Sequence, residues 1–480
     1  MVARKEPVLS EAHENDWPLW RRPGFVLAGI VAVSTTFRVV FAGLVFGFRG
    51  GDDVEILEAA FRVAVHLPYQ PWNIRNLLLP DLFVAPWAIL GHALGITGVR
   101  ALVFLGTLPF IISGSLNVIL VYHLARRWLQ SHTCGVVAAT LYAFHWLPLA
   151  YSSMPFPRPP AVTCLLAGAI ALSGPARESR RGFLAGLLLA VAFACRYSEV
   201  VFLPPLLLLA VQRPGPPANR VRAASGVLVG FIAGSLVTVG FFDWLTWGVP
   251  FSSLVAFAKL TLIEKSFASR VELQPPLWYA ARLLVWAPAT LLPLLPAAGG
   301  GKAPRSAWIF ALLPVASLSL IAHKELRYLQ GVIPFLCILA AAGAVALFNR
   351  GWRRTTTAIV GLTLALGVNN AVRLLAGNSM AAVQAAQAIA ADPNARTVVL
   401  SQAWAYGDRL LLPASTKVRE LGTLPSGTEL ATAIHGADAV CLYEEDVRGH
   451  PELGAALHAA GLRPTQRFSC AESRPVVVYR

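Results

Sequence analysis

The sequence His323-Lys324-Glu325-Leu326-Arg327-Tyr328 separates two apolar runs, which extend from Trp308 to Ala322 and from Leu329 to Phe348. Both runs have about the length of a membrane-spanning helix, so the hexapeptide is predicted to be a short connection at a membrane boundary. Charge that is desolvated at such a boundary costs several kcal/mol. The hexapeptide therefore predicts a polytopic membrane fold and a place where cations are needed.

The composition also indicates a polytopic membrane protein. Of the 480 residues, 56% are hydrophobic and 14% are charged, and the mean hydropathy is +0.59, which is far from the values of a soluble domain. The net charge of +15 comes from short basic clusters between apolar segments, typical of topology determinants and not of a nucleic-acid partner. Residues 1–22 lack an apolar core before a cleavage site, so they predict a cytoplasmic lead-in and not a removable signal peptide.

Apolar segments of spanning length predict about eleven transmembrane helices. They lie at 24–47, 99–122, 135–150, 160–174, 183–211, 222–243, 279–298, 306–322, 329–348 and 356–375, and 183–211 is interrupted at 196–199, which predicts two short helices. Basic clusters fall on alternate connections and mark the cytoplasmic side. The opposite, outer face then carries 48–98, 151–159, 196–199, 244–278, 323–328 and everything after about 376.

Two domains are predicted. Residues 1–375 form the transmembrane domain, with a long first outer loop at 48–98 whose 77–96 part lies along the outer interface or re-enters it. Residues 376–480 form a small extracytoplasmic α/β domain, in which strand patterns at 397–401, 438–443 and 475–479 alternate with helical patterns at 380–391 and 451–461. Cys441 and Cys470 in this tail could form a disulfide in an oxidising compartment.

Carboxylates follow two of the predicted spans on the outer face. Asp52 and Asp53 come directly after the first span, and the proximity of two carboxylates raises the pKa of at least one of them, as a general base requires. In the alternative interpretation, Asp53 only caps a helix that begins at Val54. Asp243 ends a later span, where it either belongs to a site or only caps that helix.

Cations are predicted on the same face. Arg75 precedes an apolar stretch, where snorkelling to the interface is the competing explanation. Arg196 lies between two helices too short to span comfortably, so it faces a polar cavity or the interface, or it pairs with Glu199. Carboxylates and cations in apolar surroundings suit a lipid phosphate. The sequence contains no Walker loop and no dinucleotide or His/Cys metal motif, so a nucleotide-sugar donor is not supported.

The hexapeptide 323–328 resembles the His-Lys-Glu-x-Arg-aromatic motif that precedes an apolar helix in the Alg9-like mannosyltransferases, glycosyltransferase family 22 of the GT-C superfamily. Asp52-Asp53 is similar to the Asp-Glu pair of that family's first outer loop, and Arg75 resembles the arginine that follows there. The segment 242–248 resembles a later Asp and Trp-Gly region. The resemblance covers about 25–350. The aromatic-Gln continuation after the acidic pair is absent, so neither the acceptor nor the choice between the two aspartates follows from it.

This resemblance implies a GT-C-like membrane glycosyltransferase that transfers a sugar, mannose favoured, with inversion. The donor would be carried on a polyprenyl phosphate and the acceptor would be a lipid-linked or envelope glycan at the outer face of a bacterial inner membrane. No cofactor is required, and the need for a divalent metal is left open. The residues and roles implied are Asp52 or Asp53 as base, Lys324, Arg327, Arg196 and Arg75 on the donor phosphate, and His323, Glu325, Tyr328 and Asp243 in support.

A lipid-linked sugar flippase or secondary transporter is the alternative from another class. Transporters commonly contain repeated halves and ionisable residues near the middle of the membrane. This sequence has no internal repeat and its charges gather at one predicted face, which favours a transferase. Within the transferases, a pentose or glucosyl transferase is the nearest competitor, because no residue pattern identifies the hydroxyl groups of the sugar.

Overall fold

The computed structural model describes residues 23–44, 52–67, 69–174, 178–264, 273–286, 304–376, 380–401, 408–413, 415–421, 427–470 and 474–480. These residues form a helical membrane portion followed by a mixed β-sheet with its own helices. The predicted lead-in at 1–22 lies outside the described residues, as do parts of the predicted span 279–298 and of the connection 244–278.

Helices account for the membrane portion because a backbone inside a bilayer must satisfy its own hydrogen bonds. They are α1 Pro23–Leu44, α2 Asp52–Ala64, α3 Ala85–Ala93, α4 Val99–Leu129, α5 His132–Ala143, α6 Trp146–Tyr151, α7 Arg158–Leu172, α8 Glu178–Cys195, α9 Leu203–Val211, α10 Pro217–Ser235, α11 Phe242–Trp247, α12 Ser252–Ala258, α13 Trp278–Trp286, α14 Arg305–Ser319, α15 Ile333–Asn349 and α16 Arg353–Ala376. Short 3-10 or π-helical turns lie at Leu79–Val84, Tyr197–Phe202, Leu236–Phe241, Lys259–Ile263 and Leu326–Leu329.

Within the described part of the chain, four helical segments are long and apolar enough to cross a membrane. They are α1, α4, the continuous segment Pro217–Trp247 and the segment that begins with α16. Shorter apolar helices lie at Arg158–Leu172, Tyr197–Val211, Ser252–Thr261, Arg305–Ser319 and Ile333–Asn349. This is the organisation of an integral membrane protein, and the count of about eleven spans stays a prediction.

The predicted span 135–150 is wrong, because the structure divides it into α5 and α6. Pro148 explains the break: it has no N–H to donate to the carbonyl of Phe144, and its ring would clash with that carbonyl in a continuous helix. The predicted interruption at 196–199 is present. Helix α8 ends at Cys195, and the 3-10 turn Tyr197–Phe202 leads into α9.

Helices α8 and α10 pack with their backbones in close approach, which only glycine permits. A Cβ atom on Gly230 would lie 2.1 Å from the carbonyl oxygen of Phe183, and one on Gly186 would lie 2.2 Å from that of Val227. Small residues at such crossings let membrane helices gain dispersion contacts. The pair α8 and α10 therefore forms a rigid support beneath Arg196, which follows α8 directly.

We expect Gly230→Ala to lower the midpoint of thermal unfolding, because the added methyl group must separate α8 from α10, and overpacking of this kind costs about 1–3 kcal/mol. The matched control is Gly361→Ala in α16, where an added Cβ would meet nothing within 4 Å. Fluorescence-monitored unfolding in one detergent compares the two variants. Equal midpoints would show that the close approach of α8 and α10 does not limit stability.

The first outer loop folds into α2 and α3, joined through the π turn Leu79–Val84. The alternative in which Asp53 caps a helix beginning at Val54 is wrong, since α2 begins at Asp52. Both aspartates lie in the first turn, where the helix dipole favours negative charge. The buried face of α2 shares one hydrophobic cluster with Val383 and Leu410, so the segment after residue 376 packs against the helix that carries Asp52.

The residues after 376 contain a five-stranded mixed sheet. Its strands are β1 Thr397–Ser401, β2 Lys417–Leu421, β3 Ala439–Tyr443, β4 Pro464–Phe468 and β5 Val476–Tyr479, in the order β2-β1-β3-β5-β4. Strand β1 is parallel to β2 and β3, and β5 is antiparallel to β3 and β4. The helices are α17 Met380–Ala390, α18 Asp408–Leu411, α19 Gly427–Ile434, α20 Glu444–Gly449 and α21 Pro451–Ala459.

The alternation of side chains along β1 explains why helices cover both faces of this sheet. Val398 and Leu400 share a cluster with α17, whereas Val399 packs with residues of α19 and α21. Strands β1, β3 and β5 occur at the predicted positions to within one residue, but β2 and β4 were not predicted. The division of the chain into domains at residue 376 stays a prediction.

The suggested disulfide between Cys441 and Cys470 is not formed in the structure. Cys441 is buried within β3, and the Sγ atom of Cys470 lies 3.6 Å from Oε1 of Gln384 on α17. Burial raises the pKa of the Cys441 thiol, so this side chain acts as a small apolar residue in the sheet core.

Candidate functional site

Three arginines from separate parts of the sequence converge on the carboxylate of Asp52. The guanidinium nitrogens of Arg75, Arg196 and Arg327 lie 2.5, 3.0 and 3.1 Å from its oxygens. They come from the first outer loop, from the break between α8 and α9 and from the hexapeptide 323–328. We call Asp52 with these three residues the arginine cluster. Ion pairs with hydrogen bonds of this kind are among the strongest polar contacts in proteins, so the cluster fixes three segments relative to α2.

Two glutamates accept hydrogen bonds from arginines of the cluster. Arg75 donates through Nε to Glu55, at 2.9 Å, and a terminal nitrogen of Arg327 donates to Glu325, at 2.7 Å. Glu325 was predicted in a supporting role, whereas Glu55 was missed. Glu55 could have been identified from its position one helical turn after Asp52, which places both carboxylates on one face of α2.

The cluster keeps Asp52 ionised. Burial alone would raise the pKa of its carboxyl, but the nearby charges of Arg75, Arg327 and Arg196 outweigh burial and hold that pKa well below its usual value. Burial raises the pKa of Glu55, and the charge of Arg75 offsets this effect only in part. At neutral pH the more firmly charged of the two carboxylates is therefore Asp52.

His323 lies beside the cluster and contacts Glu325 and Tyr328. Its Nε2 atom is 2.9 Å from Oε1 of Glu325, and its ring meets the ring of Tyr328 edge to face, with centroids 6.0 Å apart. Burial, together with the charges of Arg327 and Arg196, lowers the pKa of His323 below its usual value. A neutral histidine in this place can orient a polar group by donating or accepting a hydrogen bond.

Arg158 at the start of α7 was missed by sequence reasoning. It donates to Glu199 at 2.7 Å and to the Ser198 hydroxyl at 3.1 Å, and its guanidinium carbon lies 4.9 Å from the centre of the Tyr328 ring. The suggested pair of Arg196 with Glu199 is therefore wrong, since Glu199 pairs with Arg158 instead. The only available signal was a cation within the predicted outer connection 151–159. The Arg158 pair fixes the 3-10 turn that follows Arg196.

The structure places Lys324 away from the predicted phosphate position. Its ammonium group donates to the backbone carbonyls of Gln274 and Ile321, at 3.0 and 2.5 Å, and its described hydrogen bonds include none to the arginine cluster. A backbone bridge between Leu273 and His323 runs alongside. Alternate residues of an extended segment point to opposite sides, which explains why Lys324 and Glu325 face different surroundings.

Asp243 also lies outside the cluster. It is fully buried and accepts hydrogen bonds from the backbone N–H and the hydroxyl of Ser253 and from the Asn76 side chain. Asn76 in turn accepts from the backbone N–H of Leu78. The predicted supporting role is thus an indirect one, because Asp243 fixes the backbone next to Arg75 and does not point at the cluster.

A cleft opens beside Asp52, and its volume of about 590 Å³ includes space that is open to solvent. One end is charged and is lined by Asp52, Glu55, Arg75 and Arg196, and the remaining wall is largely apolar. The apolar lining includes Ile56, Ala59, Ile74, Leu77, Leu79 and Phe257. Asp53 is only 1% exposed and does not line this cavity. Of the two adjacent aspartates, Asp52 is therefore the one that can reach a bound molecule.

Solved structures share this arrangement of helices and sheet. A crystal structure of ArnT from Cupriavidus metallidurans bound to undecaprenyl phosphate aligns with a TM-score of 0.62 at 15% identity, over 94% of this chain and 97% of that one. The Archaeoglobus fulgidus oligosaccharyltransferase in complex with Zn and sulfate aligns with a TM-score of 0.54 at 13% identity, over 92% and 73% of the two chains. The chain therefore shares the fold of these structures.

The structural likeness extends to a larger enzyme. Arabinofuranosyltransferase AftD from Mycobacteria aligns with a TM-score of 0.51 at 14% identity, over 94% of this chain and 39% of that one. The family described as dolichyl-phosphate-mannose-protein mannosyltransferase matches residues 83–241, which is less than half of the chain. No curated protein matches the sequence. The resemblance to the Alg9-like members within the GT-C superfamily stays a prediction.

Proposed function

We propose that this protein is a glycosyltransferase that moves a sugar, mannose favoured, from a polyprenyl-phosphate donor to a lipid-linked or envelope glycan. The observation that carries the proposal is the cavity beside Asp52, in which an apolar wall meets arginines at one end. A donor of this kind has the same division between a hydrocarbon tail and a charged phosphate. The undecaprenyl phosphate bound in the ArnT structure supports the choice of lipid.

The donor phosphodiester is proposed to bind at the arginine cluster. Arg75, Arg196 and Arg327 already surround one anionic group, Asp52, at hydrogen-bonding distance. A phosphodiester offers oxygens to the same donors and recruits guanidinium groups readily, because two parallel N–H groups match two oxygens. The polyprenyl tail then lies along the apolar wall of the cavity, which removes hydrocarbon surface from water.

Sugar transfer in this site is a single displacement. The acceptor hydroxyl oxygen attacks the anomeric carbon while the bond from that carbon to the phosphate oxygen breaks, so the configuration inverts. The bonding electrons leave with the phosphate oxygen, and the arginines stabilise the charge that develops there. The hydroxyl proton passes to Asp52, the carboxylate that lines the cavity. Polyprenyl phosphate is a good leaving group, so this displacement needs no strong general acid.

Donor binding activates the base in this account. In the empty site, three arginines hold Asp52 and lower its pKa, and a carboxylate with so low a pKa is a weak base. When the phosphodiester takes a share of those hydrogen bonds, the stabilisation of ionised Asp52 decreases and its pKa rises toward the ordinary range. Asp52 is thus a competent base only while the donor is present.

A pH dependence follows from this exchange of partners. Asp52 must be ionised to act as the general base, and its pKa is proposed to be higher in the donor complex than in the free enzyme. The acidic limb of kcat should therefore lie at higher pH than the acidic limb of kcat/KM for the donor. Initial rates measured from pH 3 to 8 at saturating and limiting donor test this, and coincident limbs would contradict the exchange. Glu55 and Glu325 pair with the same arginines, and His323 pairs with Glu325, so the fit must allow for the titration of these groups.

The remaining hexapeptide residues position the cluster. Glu325 holds Arg327, and Tyr328 lies between the guanidinium groups of Arg158 and Arg196, whose centres are 4.9 and 5.8 Å from its ring. Cation–π contacts of this kind contribute most where water is excluded. His323 orients the phosphate or the acceptor hydroxyl, and Lys324 anchors the segment through backbone carbonyls.

Residues 376–480 are proposed to form an extracytoplasmic α/β domain that covers α2. The packing of Val383 and Leu410 into the α2 cluster supports this role, because it restrains the helix on which Asp52 lies. The N-terminus and the basic connections are placed in the cytoplasm, and the cavity and the tail at the outer face of a bacterial inner membrane.

The test is an assay of sugar transfer by the purified full chain in nanodiscs. It offers short-chain polyprenyl phosphates that carry mannose, glucose or arabinose, each with lipid-linked acceptors, and mass spectrometry identifies the product. The proposal expects a glycosylated acceptor and free polyprenyl phosphate in equal amounts. Movement of intact donor between leaflets of proteoliposomes, without any transfer, would instead establish the flippase alternative.

A further inference from the structure

A second cleft lies at the end of α4, on the predicted cytoplasmic face and opposite the donor site. It is open to its surroundings and is lined by Leu120, His123, Arg126, Arg127, Gln130 and Ile170. Arg126 and Arg127 give it a positive character. The proposed transfer reaction does not use this cleft, since its cavity and arginine cluster are formed by other residues.

The cleft is built by successive turns of one helix face. Leu120, His123 and Arg127 follow at intervals of three or four residues, so their side chains lie above one another on α4, and Gln130 follows at the end of the helix. The far wall is the end of α7, to which Arg127 is fixed by a hydrogen bond of 2.8 Å to the Ile170 carbonyl. The Gln130 amide donates to the Arg127 carbonyl at 2.6 Å. The first of these contacts fixes α4 to the end of α7, and Arg126 and His123 line the space between the two helices.

An apolar stripe leads away from the cleft along the same helix face. Ile112 and Leu116 precede Leu120 at intervals of four residues and are 50% and 40% exposed, which is the expected environment of lipid-facing side chains. From Ile112 to Gln130 the stripe and the cleft together are about five turns long. A molecule with a charged head in the cleft could lay a hydrocarbon chain along this stripe.

We propose that this cleft binds the phosphodiester headgroup of an anionic phospholipid, with one acyl chain along the stripe. Basic pockets between the ends of membrane helices recognise such headgroups through charge and hydrogen bonds. The continuous apolar stripe favours a lipid over free phosphate, because a soluble anion gains nothing from it. On the predicted topology the lipid belongs to the cytoplasmic leaflet, where positive residues meet negative surface charge.

Native mass spectrometry of the purified full chain tests this proposal with phosphatidylglycerol as the probe and phosphatidylcholine as the zwitterionic comparison. Arg126→Gln is expected to weaken phosphatidylglycerol binding about fivefold, since one cation near a headgroup is lost, and to leave phosphatidylcholine binding unchanged. Arg126→Lys keeps the charge and should retain most of the affinity, which separates loss of the site from a folding defect.

The matched control is Arg354→Gln, which removes one charge from an exposed position at the start of α16 on the same predicted face. Equal losses in Arg126→Gln and Arg354→Gln would mean diffuse attraction to a basic surface and would overturn the proposal. Competition by millimolar inorganic phosphate against phosphatidylglycerol would also overturn it, because the cleft would then be a site for a soluble anion. Sugar transfer is measured in parallel and does not decide this proposal.

Discussion

Asp52→Asn is expected to lower kcat for sugar transfer by about 10²- to 10⁴-fold, the usual contribution of a general base. The amide cannot take the proton of the acceptor hydroxyl. The KM for the donor should not rise, because asparagine no longer competes with the phosphate for Arg75, Arg196 and Arg327. Initial-rate kinetics with one donor and one acceptor in nanodiscs measure both constants.

Asp53→Asn is the matched control, since it makes the same chemical change one residue later, away from the cavity lining. We expect it to keep kcat within about tenfold of the wild type, less than removal of a general base costs, after correction for the folded fraction. Full activity in Asp52→Asn together with loss in Asp53→Asn would transfer the base role to Asp53. Full activity in both variants would remove a carboxylate base at this position from the mechanism.

Arg327→Gln is expected to raise the dissociation constant of the polyprenyl-phosphate donor about ten- to a hundredfold, the usual cost of losing a hydrogen bond between charged groups. Arg327 is the cation through which the hexapeptide reaches the cluster, at 3.1 Å from Asp52. A fluorescent donor analogue, titrated into wild-type and variant protein in nanodiscs, gives the two constants.

Arg62→Gln and Lys324→Gln are the control variants for Arg327→Gln. Arg62 lies on α2 but pairs with Asp81 at 3.0 Å, and a partly exposed pair of this kind contributes little, so Arg62→Gln should change donor affinity by less than about threefold. Lys324→Gln should act mainly on stability, because this ammonium group binds backbone carbonyls. Equal losses of donor affinity in Lys324→Gln and Arg327→Gln would show that Lys324 reaches the phosphate, as the sequence predicted.

The sequence predicted a common membrane face for the candidate site residues, but not the direction of each side chain. Hydropathy and the distribution of positive charge assigned Asp52, Arg75, Arg196 and Arg327 to one face, and the structure brings these four residues into direct contact. The positions of spans and connections predict on which face of the membrane a residue lies, but not the direction in which its side chain points. For this reason Lys324, three residues before Arg327, was also predicted to bind the donor phosphate, although its side chain points elsewhere.

Sequence reasoning missed some site residues because their sequence surroundings are equally typical of residues with a purely structural role. Glu55 was one of several acidic residues in a polar helix, and Arg158 followed a proline in a predicted connection. Pro148 indicates the break between α5 and α6, but the apolar composition of 135–150 favoured the prediction of a single span. Strands β2 and β4 are largely exposed, so they lack the apolar runs by which β1, β3 and β5 were recognised.

Binding of polyprenyl phosphate to the wild type, Asp52→Asn and Arg327→Gln, measured side by side at neutral pH, tests most directly whether the donor phosphate shares the arginine cluster with Asp52. The account predicts that Asp52→Asn binds at least as tightly as the wild type, and that Arg327→Gln binds much more weakly than both. Weaker binding by Asp52→Asn than by the wild type, or equal binding by all three proteins, would contradict it.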